Sequence, residues 1–177
     1  MMNMKFNPFP SLTTERLKLR QLTPDDRHDI FALRSDPVIN TYLDRAFCKS
    51  TEDALNFIYK VNDNIQKNNS VYWVISLKQT NTFVGTICLF DFSNEESSCE
   101  IGYELMTKFQ GQGIMKEAAV KIIDYAFHTV LVRKIVAYSH QDNQKSTKLL
   151  TGIHFSKSLK INKENPDLQK YTLNNLL

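Results

Sequence analysis

The chain has 177 residues, 42% of them hydrophobic and 23% charged, with only five Gly and five Pro. This excludes a disordered chain, a collagen- or linker-like chain and, with three Cys, a disulfide scaffold; at ~150 residues per domain the length predicts a single domain over 1–177. A formal charge of +3 is too small to argue for nucleic acid, but it is compatible with a basic patch facing a polyanionic small ligand.

The first predicted element is a half-buried strand over Arg16–Arg20, where Leu17 and Leu19 alternate with polar residues. It stops at Thr23-Pro24-Asp25-Asp26, a helix start: a capping hydroxyl, a proline suited to the first turn, and acids at the positive end. The helix that follows carries Ile30, Phe31 and Leu33 and is broken by Asp36-Pro37. Ser50-Thr51-Glu52-Asp53 opens a second helix bearing Leu55, Ile58 and Tyr59. Strands are then predicted at 71–77, 83–92 and 98–105, separated by polar turns, as an antiparallel meander with Trp73 and Phe90 in the core.

After Gly113 the period becomes helical, with Ile114, Ala118, Ile122 and Ala126 on one side and a Glu117–Lys121 pair on the other. A strand at 134–139, a helix at about 144–150 and a last strand at 169–173 complete a mixed sheet with helices packed on it. The strands 98–105 and 134–139, joined by a helix, should run parallel. Cys48, Cys88 and Cys99 show no CxxC or His-related spacing, which predicts a reducing compartment, with Cys88 and Cys99, both in strands, buried as small hydrophobes. His28, His128, His140 and His154 show no metal-ligand spacing, so no metal is expected; His140 lies close enough to Asn143 for a place in a cleft. The N-terminal Met-Met-Asn-Met-Lys-Phe-Asn-Pro does not read as a secretory signal, and no run nears the ~18 apolar residues of a membrane span. The expectation is a cytoplasmic protein with neither a membrane nor a nucleic-acid partner.

The chemistry concentrates at the junction Glu104-Leu105-Met106-Thr107-Lys108-Phe109-Gln110-Gly111-Gln112-Gly113-Ile114-Met115-Lys116. Two glycines one residue apart allow a sharp turn and close backbone approach, and the helix behind them presents unpaired amides and its positive end. That combination suits a phosphate or pyrophosphate. A P-loop is excluded because no Gly-Lys-Ser/Thr follows, and a dinucleotide fold is disfavoured because Lys116 stands where a third glycine belongs.

These residues resemble the GNAT N-acetyltransferases, and within them the ribosomal-protein N-terminal (RimJ/RimL-like) branch. Gln110-Gly111-Gln112-Gly113-Ile114-Met115 is similar to the superfamily's Gln/Arg-x-x-Gly-x-Gly/Ala. Thr14-Glu15-Arg16-Leu17-Lys18-Leu19-Arg20 looks like the branch's first strand, Glu100-Ile101-Gly102-Tyr103-Glu104-Leu105 like its fourth, and Asp142-Asn143-Gln144-Lys145-Ser146 like its Asn-x-x-Ser. Two departures stand out: Met115 replaces a small residue, and His154-Phe155 replaces Gly-Phe, with Gly152 two residues early.

The resemblance implies a GNAT α/β (α+β) fold, a mixed, mostly antiparallel sheet of six to seven strands with helices on both faces. It also implies acetyl transfer from acetyl-CoA to a primary amine, by a monomer or homodimer. Amides from Gly111, Gln112, Gly113, Ile114 and Met115, with Gln110 beside them, would hold the pyrophosphate. Backbone N–H groups near Leu105 and Thr107 would polarise the thioester carbonyl. Asn143 resembles the residue that bonds the pantetheine, and Ser146 the one that protonates the departing thiolate. Glu100 is the candidate base; on an ideal strand it shares a face with Gly102 and Glu104, and a bulge near Tyr103 would change which glutamate meets the cleft. The expected acceptor is a protein or peptide N-terminus, whose α-amine titrates near ~8 and needs little help to become neutral. A small amine, bound by helices within 24–66, and a non-catalytic acyl-CoA-binding module are the alternatives; acidic lining there would favour polyamines.

Overall fold

The computed structural model describes residues 2–159 and 165–175. Its strands are β1 (Leu12–Thr13), β2 (Leu17–Gln21), β3 (Val71–Leu77), β4 (Phe83–Ser93), β5 (Ser98–Leu105), β6 (Lys134–His140), β7 (Ser156–Lys157) and β8 (Leu168–Asn174). They form one sheet in the order β1-β2-β3-β4-β5-β6-β8-β7. Every neighbouring pair is antiparallel except β5 and β6, which run parallel as predicted. The two-residue strands β1 and β7 go beyond the sequence expectation, because two residues are too few to display alternation.

The helices are α1 (Arg27–Ser35), α2 (Pro37–Asn40), α3 (Thr51–Gln66), α4 (Ile114–Tyr125) and α5 (Gln144–Gly152). The turn Pro24–Asp26 preceding α1 is 3-10 rather than α; its Asp26 carboxylate accepts from the Thr23 amide at 2.8 Å and from Arg20 at 2.6 Å. Asp36-Pro37 ends α1 but does not end helix formation. The Asp36 carboxylate accepts from the Val38 amide at 2.7 Å, and Pro37 fits the first position of α2, so the same dipeptide starts a new helix. Ser50 caps α3 through the Asp53 amide at 3.1 Å.

One face of the sheet packs against α1 and α3, where Phe57 meets Tyr72 edge-on at 5.8 Å, and the other against α4, where Trp73 meets Tyr125 at 5.5 Å. Trp73 is fully buried and donates its indole N–H to the Pro10 carbonyl at 2.7 Å. Phe90 is only half-buried, contrary to expectation; it pairs with Glu100 of β5, and a Cβ on Gly102 would lie 3.3 Å from its ring. Among the described residues no helix is long and apolar enough to cross a membrane.

The feature that positions the site is a parting of strands. β5 and β6 pair only at Ser98–Glu100 with Lys134–Val136, leaving the rest of β5 without a partner on that side. On its other side β5 stays bound to β4 as far as Leu105, opposite Gly85. A Cβ on Gly85 would lie 2.2 Å from the Glu104 carbonyl oxygen, so glycine is required for this close approach.

Candidate acetyl-transfer site

The Met106 amide bonds the Val84 carbonyl at 2.9 Å. Since antiparallel strands alternate their bonding edges, the Leu105 N–H and C=O point the other way, into the opened edge. Gln110 donates to that Leu105 carbonyl at 3.1 Å and accepts from Lys145 of α5 at 2.8 Å, spanning the gap between strand end and helix.

The loop then turns through Gly111 (φ 76°) and Gly113 (φ 73°), both left-handed. Gly113 is the N-cap of α4 and no side chain caps the helix; the Glu117 amide bonds back to the Gly113 carbonyl at 3.0 Å. The amides of Ile114, Met115 and Lys116 therefore lack intrahelical acceptors and carry the positive end of the helix. The donor set fits a pyrophosphate. Met115 is 7% exposed, so its side chain turns into the core and leaves the loop clear. An open groove of about 690 Å³ runs from Thr13 and Thr14 past Gly113 and Lys116 to Asp124.

Glu117 does not pair with Lys121 as expected. Its carboxylate accepts from the Arg16 backbone N–H at 2.9 Å and the Arg16 Nε at 2.6 Å, and Arg16 Nη1 also holds the Gln112 carbonyl at 3.0 Å. Thr14 Oγ1 adds a third bond to Glu117 at 2.5 Å, and Lys121 reaches Asp124 at 3.8 Å instead.

On the far side of the gap Asn143 caps α5, its Oδ1 accepting from the Ser146 amide at 3.2 Å. Ser146 Oγ lies 2.9 Å from the hydroxyl of Tyr103, a residue that sequence reasoning did not single out. Burial pushes the Tyr103 hydroxyl up to about 12, so it stays protonated. The only sequence signal for it was its place in the Glu-Ile-Gly-Tyr-Glu-Leu strand.

The register of β5 against β4 is regular from Glu100 to Leu105; the irregularity falls at Phe90/Ser93. Glu100, Gly102 and Glu104 thus share the α1/α3 face, and Tyr103 the other. Glu100 sits on the last rung of the β5–β6 pairing, in a cleft of about 240 Å³ with Asp91, Glu96, Tyr138 and Lys170. Burial and then Asp91 raise its carboxyl to about 7, with Lys170 opposing. Glu104 is raised by burial and ion-paired with Arg45. Thr107 Oγ1 approaches the Asp36 carboxylate at 3.4 Å.

Cys99 is buried and Cys88 half-buried, and burial lifts both thiols to about 12, which leaves them inert. His140, at the end of β6, stacks on Tyr42 at 5.1 Å between ring centres, whereas His28, His128 and His154 are exposed. Among the described residues no group of His, Cys, Asp and Glu could hold a metal ion.

Comparison with known proteins agrees with this geometry. Residues 16–156 match the acetyltransferase (GNAT) domain. The chain is 31% identical over 149 residues to the uncharacterized N-acetyltransferase YoaA of Bacillus subtilis, covering 84% of each. In fold it is similar to the ribosomal-protein-S5-alanine acetyltransferase of Vibrio fischeri (TM-score 0.76, 19% identity, 94% and 97% of the chains). It is equally similar to the spermidine N-acetyltransferase of Vibrio cholerae, crystallised with CoA and spermine (TM-score 0.78, 22% identity, 91% and 96%). A diverging pair of parallel strands beside an uncapped, glycine-led helix start, together with these matches, shows that the chain belongs to the GNAT acetyltransferase family.

Proposed function

We propose that this N-acetyltransferase acts as one domain on the N-terminal α-amine of a protein or peptide, in the manner of the ribosomal-protein branch, and works in the cytoplasm. The observation that carries the acceptor reading is the lining of the α1–α3 side. The segment flanking Glu104 carries Arg34 and Arg45, not a wall of carboxylates, so a second ammonium group on a polyamine meets positive charge there.

Acetyl-CoA supplies the activated acyl group as a thioester. The amides from Gly111 to Met115 hold its pyrophosphate at the start of α4. Asn143, whose Oδ1 is committed to the helix cap, has its Nδ2 left to donate to the pantetheine arm. The Leu105 amide, turned into the opened edge, and the Thr107 amide polarise the thioester carbonyl. Glu100 takes the proton from the attacking amine, directly or through a water, from one face of the sheet. Ser146, backed by Tyr103, returns a proton to the sulfur from the other.

A second reading has its own observation: Asp91, Glu96 and Glu100 line one small cleft, which suits a small amine with a further positive group. Purified protein incubated with acetyl-CoA and either N-terminal peptides or spermidine separates the two. Release of free CoA with peptides supports the first reading; turnover of spermidine alone defeats it.

A further inference from the structure

Two guanidinium groups stand against one carboxylate beside the opened end of β5. Arg45 is held by Asn40, whose Oδ1 accepts from Arg45 Nε at 2.8 Å, while Asn40 itself is buried and anchored to the Leu33 and Asp36 carbonyls at 3.2 and 2.7 Å. One terminal nitrogen of Arg45 reaches Glu104; the other, Nη2, is buried with no hydrogen-bond partner among the described residues. Arg34 sits over the Phe57 ring, its Cζ 3.9 Å from the centroid, and its guanidinium makes no hydrogen bond or ion pair among the described residues. The cation–π contact holds the fork in place without using its N–H donors.

The surroundings do not neutralise the pair. Asp36, in the same segment, already accepts from the Val38 and Ile39 amides and from Thr107. Tyr72 and Cys88, on the same sheet face, are raised by burial and stay neutral. Burial and then the repulsion of Arg45 disfavour the charge on Arg34. With Glu104 ionised the cluster retains one excess positive charge, and an idle, desolvated donor of this kind is expensive unless a ligand satisfies it.

We propose that Arg34 and Arg45 form an anion subsite that recognises an oxyanion on the second residue of the acceptor. This rests on the peptide-acceptor reading and names the chemistry of the peptide. The oxyanion is an acidic side chain or a phosphorylated one, either of which matches the planar fork of arginine. Glu104, gripping Arg45 from behind, sets the position of the unused nitrogen.

The test is calorimetry of the protein–CoA complex with peptides that differ only at the second residue: Asp, phosphoserine or Asn. One charged peptide should bind about 10- to 100-fold more tightly than the Asn peptide, as for hydrogen bonds to a charged partner. Which of the two binds best identifies the source of the oxyanion. The preference should fall to about one in Arg34→Gln, which retains bulk and polarity, and should turn against the charged peptides in Arg34→Glu. Equal affinities in the unmodified protein, or an unchanged preference in Arg34→Gln, overturn the subsite. Acetyl transfer to the same peptides reports separately: a binding preference without transfer leaves the subsite standing and removes the peptide-acceptor reading, whereas transfer without preference does the reverse.

Discussion

The hydroxyls of Tyr103 and Ser146 lie 2.9 Å apart, one on the stretch of β5 that β6 leaves unpaired and the other in the first turn of α5. The bond closes the gap left by the diverging strands and joins a half-exposed serine to a tyrosine that burial keeps protonated. A serine hydroxyl that gives up a proton can be resupplied by the tyrosine behind it.

If the two act as one acid, removing either should lower kcat by about 100-fold, the low end for general-acid catalysis. Ser146→Ala and Tyr103→Phe should leave KM for acetyl-CoA nearly unchanged. The double variant should be no slower than the slower single variant, since groups acting as a unit are not additive. Steady-state kinetics of the three variants checks this, and multiplicative losses would separate the roles.

If Glu100 is the base, the activity should depend on pH. Its carboxyl is raised from 4.5 to about 7 by burial and then by Asp91, so the base form is present above about 7 and kcat/KM should fall as pH drops through that value. Asp91→Asn should move this acid limb to lower pH, and Lys170→Gln should move it to higher pH. Stability follows the opposite trend. Because the folded protein holds the proton more tightly than the unfolded chain, the contribution of Glu100 is fully present below its unfolded value and lost as pH rises through about 7. Glu100→Gln should therefore melt at a higher temperature than the unmodified protein at pH 8, with the difference vanishing near pH 4.

Arg16 joins the first long strand to the phosphate loop by holding both Glu117 and the Gln112 carbonyl. Without it, the Glu117 carboxylate would oppose a pyrophosphate at the start of α4, where the proposed function seats it. Arg16→Gln should raise KM for acetyl-CoA by about tenfold, the scale of one charge-assisted contact. Acetyl-pantetheine, which lacks the pyrophosphate, should be used as before. The pair is partly exposed, 47% and 20% at its two side chains, so Tm should change little. Equal losses on both acyl donors would mark a general structural role.

His154 occupies the place where the resembling branch carries glycine, and its φ is 71°. A non-glycine residue in the left-handed region is strained by roughly 1–2 kcal/mol, partly offset by the greater freedom of glycine in the unfolded chain. Because the side chain is exposed, His154→Gly should stabilise the fold by about 1 kcal/mol with kcat unchanged, as measured by chemical denaturation.

The sequence alone determined most of the scaffold and the nature of its chemistry. Alternation at Leu17 and Leu19, the β-branched run Val71–Leu77 and the helical spacing from Ile114 to Ala126 each report burial along one element, and local pattern suffices for that. Gly111 and Gly113 likewise announced a sharp turn before a helix, which the structure makes left-handed, since backbone conformation is a local property. Pairings were a different matter. Tyr103 meets Ser146 across 43 residues and Arg16 meets Glu117 across 101, while Asn40 and Glu104 together fix Arg45; none of this has a period to read. Glu117 illustrates the difference: its helix offered Lys121 as a partner, and the turn between β1 and β2 supplied Arg16 with better geometry. Which edge of β5 lies open, and which side chains converge there, was decided by where β5 and β6 part, a consequence of strand register and packing that belongs to no single segment.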